Sequence, residues 1–237
     1  MAYYKIADCI TSYTPIYPLL EKQMAAYRIE TSKKPDITLS ITRAFCEQKQ
    51  RENPHLTAEQ CEYIFAGSEF YKKLILHGGF FLHASAVEVD QRAYLFSARS
   101  GTGKSTHTKL WQKYFGADRA LIINDDKPAI KIEDHRCMVY GTPFSGKTDE
   151  NLNRCAPLQG ICMIERGKEN KIWRIEVGEA IPLLFQQTLL PKNQSVIDKL
   201  FSMIDTVLRQ VPIYRMQCTI SEEAAMLAYE TMRGEEQ

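Results

Sequence analysis

Two spacings of apolar residues alternate along this chain, one near two and one near 3.6, and clusters of Gly, Asp and Asn separate them. In the first third, Tyr3–Ile10 and Ile37–Ile41 read as strands and Pro18–Tyr27 as a short helix. Thr57 with Gln60 three residues later predicts a capping box that opens a helix running toward Leu76, and His77-Gly78-Gly79 ends it. From Phe80 the pattern turns β-prone. Phe80–Val89 and Ala93–Phe96 read as strands across an Asp90-Gln91 turn. A loop over Ser97–Gly103 then leads into a helix from Lys104 to about Phe115, closed by Gly116.

Beyond that helix, Ala120–Ile123 reads as a short buried strand ending in Asn124-Asp125-Asp126. Ala129–Ile132 and Cys137–Tyr140 read as a hairpin, and Ile161–Ile164 with Ile172–Ile175 as a second pair across Gly167–Asn170. Helices are expected over Ala180–Leu189, Ser195–Gln210 and Ser221–Met232, with a strand at Ile213–Cys218. This alternation predicts an α/β fold in which a mixed sheet is flanked by helices. Residues 1–79 form a small α+β extension, and residues 80–237 the main domain.

Composition changes this picture little. The chain has 237 residues, 44% apolar and 25% charged, with a formal net charge of +1. That near-neutral balance gives no global pull toward nucleic acid or membrane. Seven cysteines lie without a CxxC pair, which argues for reduced thiols, mostly small core residues, and against a zinc site. The N-terminus lacks a basic, apolar leader, and no run reaches the ~18 apolar residues that a membrane span needs. A cytoplasmic protein is expected, and assembly with copies of itself is compatible with the sequence.

The candidate chemistry begins at Ala98-Arg99-Ser100-Gly101-Thr102-Gly103-Lys104-Ser105-Thr106, which fits the P-loop pattern with alanine in place of the first glycine. Its setting, strand before and helix after, is what phosphate binding requires. Backbone N–H groups of the loop and the helix start converge on phosphate oxygens, and the helix dipole favours negative charge there. Lys104 is placed to reach the outer phosphates and Ser105 to offer a hydroxyl to Mg²⁺. Asp125 and Asp126 arrive at the end of the next strand, where one carboxylate can hold Mg²⁺ and the other accept a proton. Asn-Asp-Asp-Lys-Pro is also good turn chemistry, so a plain turn is the competing reading. His83 interrupts the run Phe80–Val87, followed by the small residues Ala84, Ser85 and Ala86. His55, His77, His107 and His135 fall at element ends or on faces that read as exposed.

Three stretches together, Phe81-Leu82-His83-Ala84-Ser85-Ala86-Val87, then Ser100–Thr106, then Asn124-Asp125-Asp126, resemble the HPr kinase/phosphorylase and ATP-dependent phosphoenolpyruvate carboxykinase superfamily, above all its small HPr-kinase-like members. The resemblance covers about residues 78–165. It implies an ATP- and Mg²⁺-dependent kinase in which the loop binds ATP, the aspartate pair serves metal binding and proton abstraction, and His83 lies in the active site. Asp125 is expected as the base and Asp126, with Ser105, as a metal ligand. The segment Gly141–Lys147 resembles a family loop facing the phosphates, and Lys147 and Arg166 are candidates to stabilise the transferring phosphoryl group. Residues 1–79 are short beside the N-terminal domain of full HPr kinase/phosphorylases. The acceptor implied is therefore a hydroxyl of free serine or of a peptide, with a non-catalytic nucleotide-binding adaptor and a carboxykinase-like lyase as the alternatives.

Overall fold

The computed structural model describes residues 1–146 and 148–234. Lys147, one of the candidate residues, lies outside them. The chain opens with β1 (Ala2–Ile6), β2 (Cys9–Tyr13), α1 (Pro18–Met24), β3 (Arg28–Ile29), β4 (Ile37–Thr38), α2 (Arg43–Glu52) and α3 (Ala58–Leu74). β5 (Gly79–Phe81), β6 (Ala84–Val89), β7 (Arg92–Ser97), α4 (Lys104–Phe115), β8 (Leu121–Asn124), β9 (Ala129–Glu133) and β10 (Arg136–Tyr140) follow. The last part holds β11 (Cys155–Arg166), β12 (Lys171–Arg174), α5 (Val177–Phe185), α6 (Gln194–Gln210), β13 (Ile213–Cys218) and α7 (Glu222–Met232).

Two sheets form. The smaller has the order β3-β1-β2-β4, and the larger runs β5-β9-β10-β11-β7-β6-β8 with β13 and β12 added beside β11. β11 organises the larger sheet. Its first residues pair antiparallel with β10, while its later ones lie parallel to β7 on one side and β13 on the other. One strand thus serves two neighbours on the same edge, and the sheet curls. Residues of β6 and β7 alternate between its faces. Ala84, Ala86, Ala93 and Leu95 pack beneath α5 and α6, whereas Val87, Val89, Tyr94 and Phe96 pack beneath α4 and α7. Cover on both faces explains why these strands read as nearly unbroken apolar runs. A third cluster unites the smaller sheet with α1 and α3 and takes in Ala129 and Phe144 from the C-terminal part.

Local signals held where the side chain meets its own backbone. Thr57 accepts from the Gln60 amide, and Gln60 Oε1 accepts from the Thr57 amide, while Gly78 closes the end of this helical stretch at φ 78°. Three expectations change. Tyr3–Ile10 is not one strand, because Ala7 and Asp8 both take positive φ and turn the chain back as a two-residue hairpin. The run Phe80–Val89 breaks at Leu82-His83, where the chain leaves its partner β9 and joins β7 and β8. The two strands flanking Gly167–Asn170 do not pair with each other, since β13 inserts between them. α2 buries only Cys46 and carries no strong apolar stripe, so the spacing of apolar residues does not predict it. Five of the seven cysteines are buried, Cys155 being exposed and Cys218 half-buried. Among the described residues, no helix is long and apolar enough to cross a membrane.

Candidate functional site

β7 ends in the middle of the larger sheet and delivers the Ala98–Gly103 loop to the start of α4. Gly101 and Gly103 sit at φ 78° and 123°, a region that side chains with a Cβ rarely adopt, and open space surrounds both. Gly103 precedes α4 without a side-chain cap, so the first amides of the helix are left for another acceptor. Lys104 folds back over the loop, its Nζ donating to the Ala98 carbonyl at 3.1 Å. Burial pulls the Lys104 pKa down, and the nearby Asp126 and Asp125 carboxylates oppose that pull. Arg166, at the end of β11, holds the loop from outside by donating to the carbonyls of Gly101 (2.7 Å) and Thr102 (3.2 Å).

β8 brings the acidic pair to the same place. Asn124 makes the turn, its Oδ1 accepting from the amides of Asp126 (3.0 Å) and Lys127 (2.7 Å). The turn and the acidic site are therefore one construction. Asp125 is buried and accepts from Ser85 Oγ (2.7 Å) and Thr148 Oγ1 (2.8 Å). Asp126 lies between the His83 ring (Nε2 at 3.2 Å) and the Lys127 ammonium. Burial raises the Asp126 pKa, but the hydrogen bond from His83 and the charge of Lys127 outweigh it and hold the carboxyl at about 2. His83 sits in the break between β5 and β6 rather than within a strand, and its Nδ1 lies 3.1 Å from Gln187 Oε1.

These groups line one cleft of ≈ 480 Å³. His83, Ser100, Gly101, Gly103, Lys104, Ser105, Thr106, Asp125, Asp126 and Arg166 all face it, and Thr102 borders the adjoining space. Gly146 closes one side. Its amide donates to the Tyr63 hydroxyl at 2.8 Å, its φ is 75°, and a Cβ there would stand 2.8 Å from Asp126 Cβ. The residues that sequence reasoning missed are Ser85, Lys127, Thr148 and Gln187. Ser85 lay beside His83 in an informative stretch. Thr148 lines the cleft directly after the candidate segment Gly141–Lys147, and Gln187 reaches His83 from a distant segment that no local pattern marks. One histidine needs correction: His107, read as lying on an exposed face, is buried in α4 against Phe96.

The cleft contains oxygen donors suited to a hard cation, the Ser105 hydroxyl and the Asp126 carboxylate among them. No group of three or more His, Cys, Asp or Glu side chains able to hold a metal occurs among the described residues. A Mg²⁺ ion here would thus be held by one or two protein oxygens together with its ligand's phosphates and water, which is how that ion usually binds.

Fold and site define a mixed α/β protein in which a curled sheet, flanked by helices, carries a glycine-rich strand-to-helix loop facing two adjacent carboxylates. More narrowly, residues 45–224 match the family described as SynChlorMet cassette protein ScmC, and the chain belongs to that family. Among solved structures it is similar to the Hpr(Ser) kinase/phosphatase from Coxiella burnetii, at 11% sequence identity and a TM-score of 0.36, over 65% of this chain and 88% of that one. That likeness is distant. No curated protein sequence matches the chain.

Proposed function

We propose that this protein is an ATP- and Mg²⁺-dependent kinase that transfers the γ-phosphoryl group to a hydroxyl, that of serine either free or in a peptide. The observation that carries the reading is the meeting, in one cleft, of the uncapped start of α4 with Lys104, Ser105, Asp125 and Asp126. The loop amides and Lys104 bind phosphate oxygens. An adjoining space of ≈ 430 Å³ shares Gly103, Thr106 and Arg166 with the cleft and offers apolar Leu110, Ile164 and Ile220 to a nucleobase.

Ser105 and Asp126 hold Mg²⁺, which when bound neutralises charge on the phosphates. The low pKa of Asp126 suits that role, since it keeps the carboxylate charged and makes it a poor base. Asp125 accepts the acceptor's proton as its oxygen bonds to phosphorus and ADP leaves with the electron pair. A carboxylate has lone pairs to spare beyond the hydrogens of Ser85 and Thr148. Arg166 steadies the loop, and His83 fixes the orientation of Asp126.

Calorimetry with ATP and Mg²⁺ tests the binding half. Lys104→Ala should weaken ATP binding by about 1.5–3 kcal/mol, roughly 10- to 100-fold, because a charge-assisted contact is lost. Asp125→Asn should leave ATP affinity near normal and lower kcat, the pattern of a group acting in the transition state. Equal ATP affinity in wild type and Lys104→Ala would overturn the assignment of the loop.

A further inference from the structure

A space of ≈ 710 Å³ opens beyond the C-terminal ends of the parallel strands β7 and β11, between the glycine-rich loop and the end of α5. Ligands of α/β sheets gather at such strand ends. This space shares Ser100, Gly101 and Arg166 with the cleft. A second link runs through Gln187 on its wall, whose backbone carbonyl accepts from the His83 amide (2.7 Å) and whose side chain meets the His83 ring. The space assigned to the nucleobase joins the cleft elsewhere, at Gly103 and Thr106 beside the start of α4, and Arg166 borders both. The cleft thus has two mouths. In phosphoryl transfer the attacking and leaving oxygens stand roughly in line across the phosphorus, so a nucleotide that fills one mouth leaves the other to the acceptor.

The charges around the larger space say what it suits. Arg215, on its wall, pairs with Glu165 and with Glu179 (2.7 Å), and so takes up both carboxylates there. Arg166 donates only to the neutral carbonyls of Gly101 and Thr102, and its place at the cleft directs its charge to phosphates. Arg99 is different. It is exposed, makes no ion pair among the described residues, and lines this space but neither of the other two. Its guanidinium is a planar fork that matches a carboxylate and cannot lose its charge.

From these observations we infer that the larger space binds the phosphoryl acceptor, and that Arg99 selects an acceptor bearing a carboxylate, which it pairs with while the serine hydroxyl enters the cleft past Ser100. That carboxylate belongs either to free serine itself or to an acidic side chain beside serine in a peptide. The inference rests on the kinase reading. It adds a specificity residue to that reading and leaves the transfer step to Asp125 and the loop.

The test uses labelled ATP and Mg²⁺ with two pairs of acceptors, free serine against serinamide, and short serine peptides flanked by Asp against the same peptides flanked by Asn. Members of a pair differ only in the carboxylate. In one pair the carboxylate should raise kcat/KM roughly 10- to 100-fold, mainly through KM, as a charge-assisted contact does, and the pair that responds identifies its source. Arg99→Gln should abolish that preference. Gln186 is exposed on the α5 side of the space. Gln186→Glu should lower the preference by repulsion and Gln186→Lys should raise it. Four results would each overturn the inference: equal use of both members in both pairs, a preference surviving Arg99→Gln, an Arg99→Gln variant that loses ATP affinity rather than acceptor discrimination, or ATP binding without transfer to any acceptor. Absence of ATP binding in the wild type would instead remove the kinase reading on which it stands.

Discussion

His107 provides a test of how the helix that follows the loop is seated. Its ring is 2% exposed, packs at 4.4 Å between centroids against Phe96, and accepts a hydrogen bond from Trp111 Nε1 at 3.2 Å. Nδ1 is buried without a partner. Burial lowers its pKa from an ordinary 6.5 to about 4. The unfolded chain therefore binds a proton near 6.5 that the folded chain refuses until about 4. Stability is full above 6.5 and falls as the pH drops toward 4, with no further loss below that. Between about pH 7.5 and about pH 5 this one residue should cost about 2 kcal/mol. Denaturant unfolding of wild type and His107→Leu at both pH values isolates it. The variant loses the acceptor for Trp111 and also removes an unpaired nitrogen, two effects that are opposed and independent of pH. The gap between the two proteins should shift by about 2 kcal/mol in the variant's favour on acidification, because the carboxylates common to both cancel. Parallel pH profiles would refute the buried, neutral imidazole.

Two further substitutions probe the surroundings of the cleft. Gly146→Ala forces a Cβ into a left-handed conformation and against Asp126. We expect a loss of about 1–2 kcal/mol, read as a Tm lower by roughly 2–8 °C, with a raised Mg²⁺ requirement for ATP binding; an unchanged Mg²⁺ titration would detach Asp126 from metal binding. Glu62→Leu removes a fully buried carboxylate that accepts from the Tyr13 hydroxyl (2.7 Å) and the amides of Ile16 (2.6 Å) and Tyr17 (3.0 Å). Three orphaned donors should cost about 3 kcal/mol or more, and a melting curve that does not move would show that these donors find other partners.

The sequence by itself determined what a residue arranges with its near neighbours. The Thr57–Gln60 capping box, the helix start at Lys104, the helix end at Gly78 and the Asn124 turn are local bargains between side chain and backbone, and each is legible in the letters. Composition and pattern likewise indicated a sheet covered by helices. Only the tertiary structure decided the rest. The path of β11 between β7 and β13, which sets the loop beside Arg166, depends on strand order, and apolar alternation carries no information about which strand is the neighbour. His107 is buried because Phe96 of β7 and Trp111 of its own helix pack on a ring whose polar letters suggest water. Ser85 and Thr148 meet on Asp125, and His83 and Lys127 meet on Asp126, across separations of up to 43 residues. Such contacts follow from where the sheet brings its strand ends together, and a one-dimensional pattern records the residue types available for a site but not their convergence.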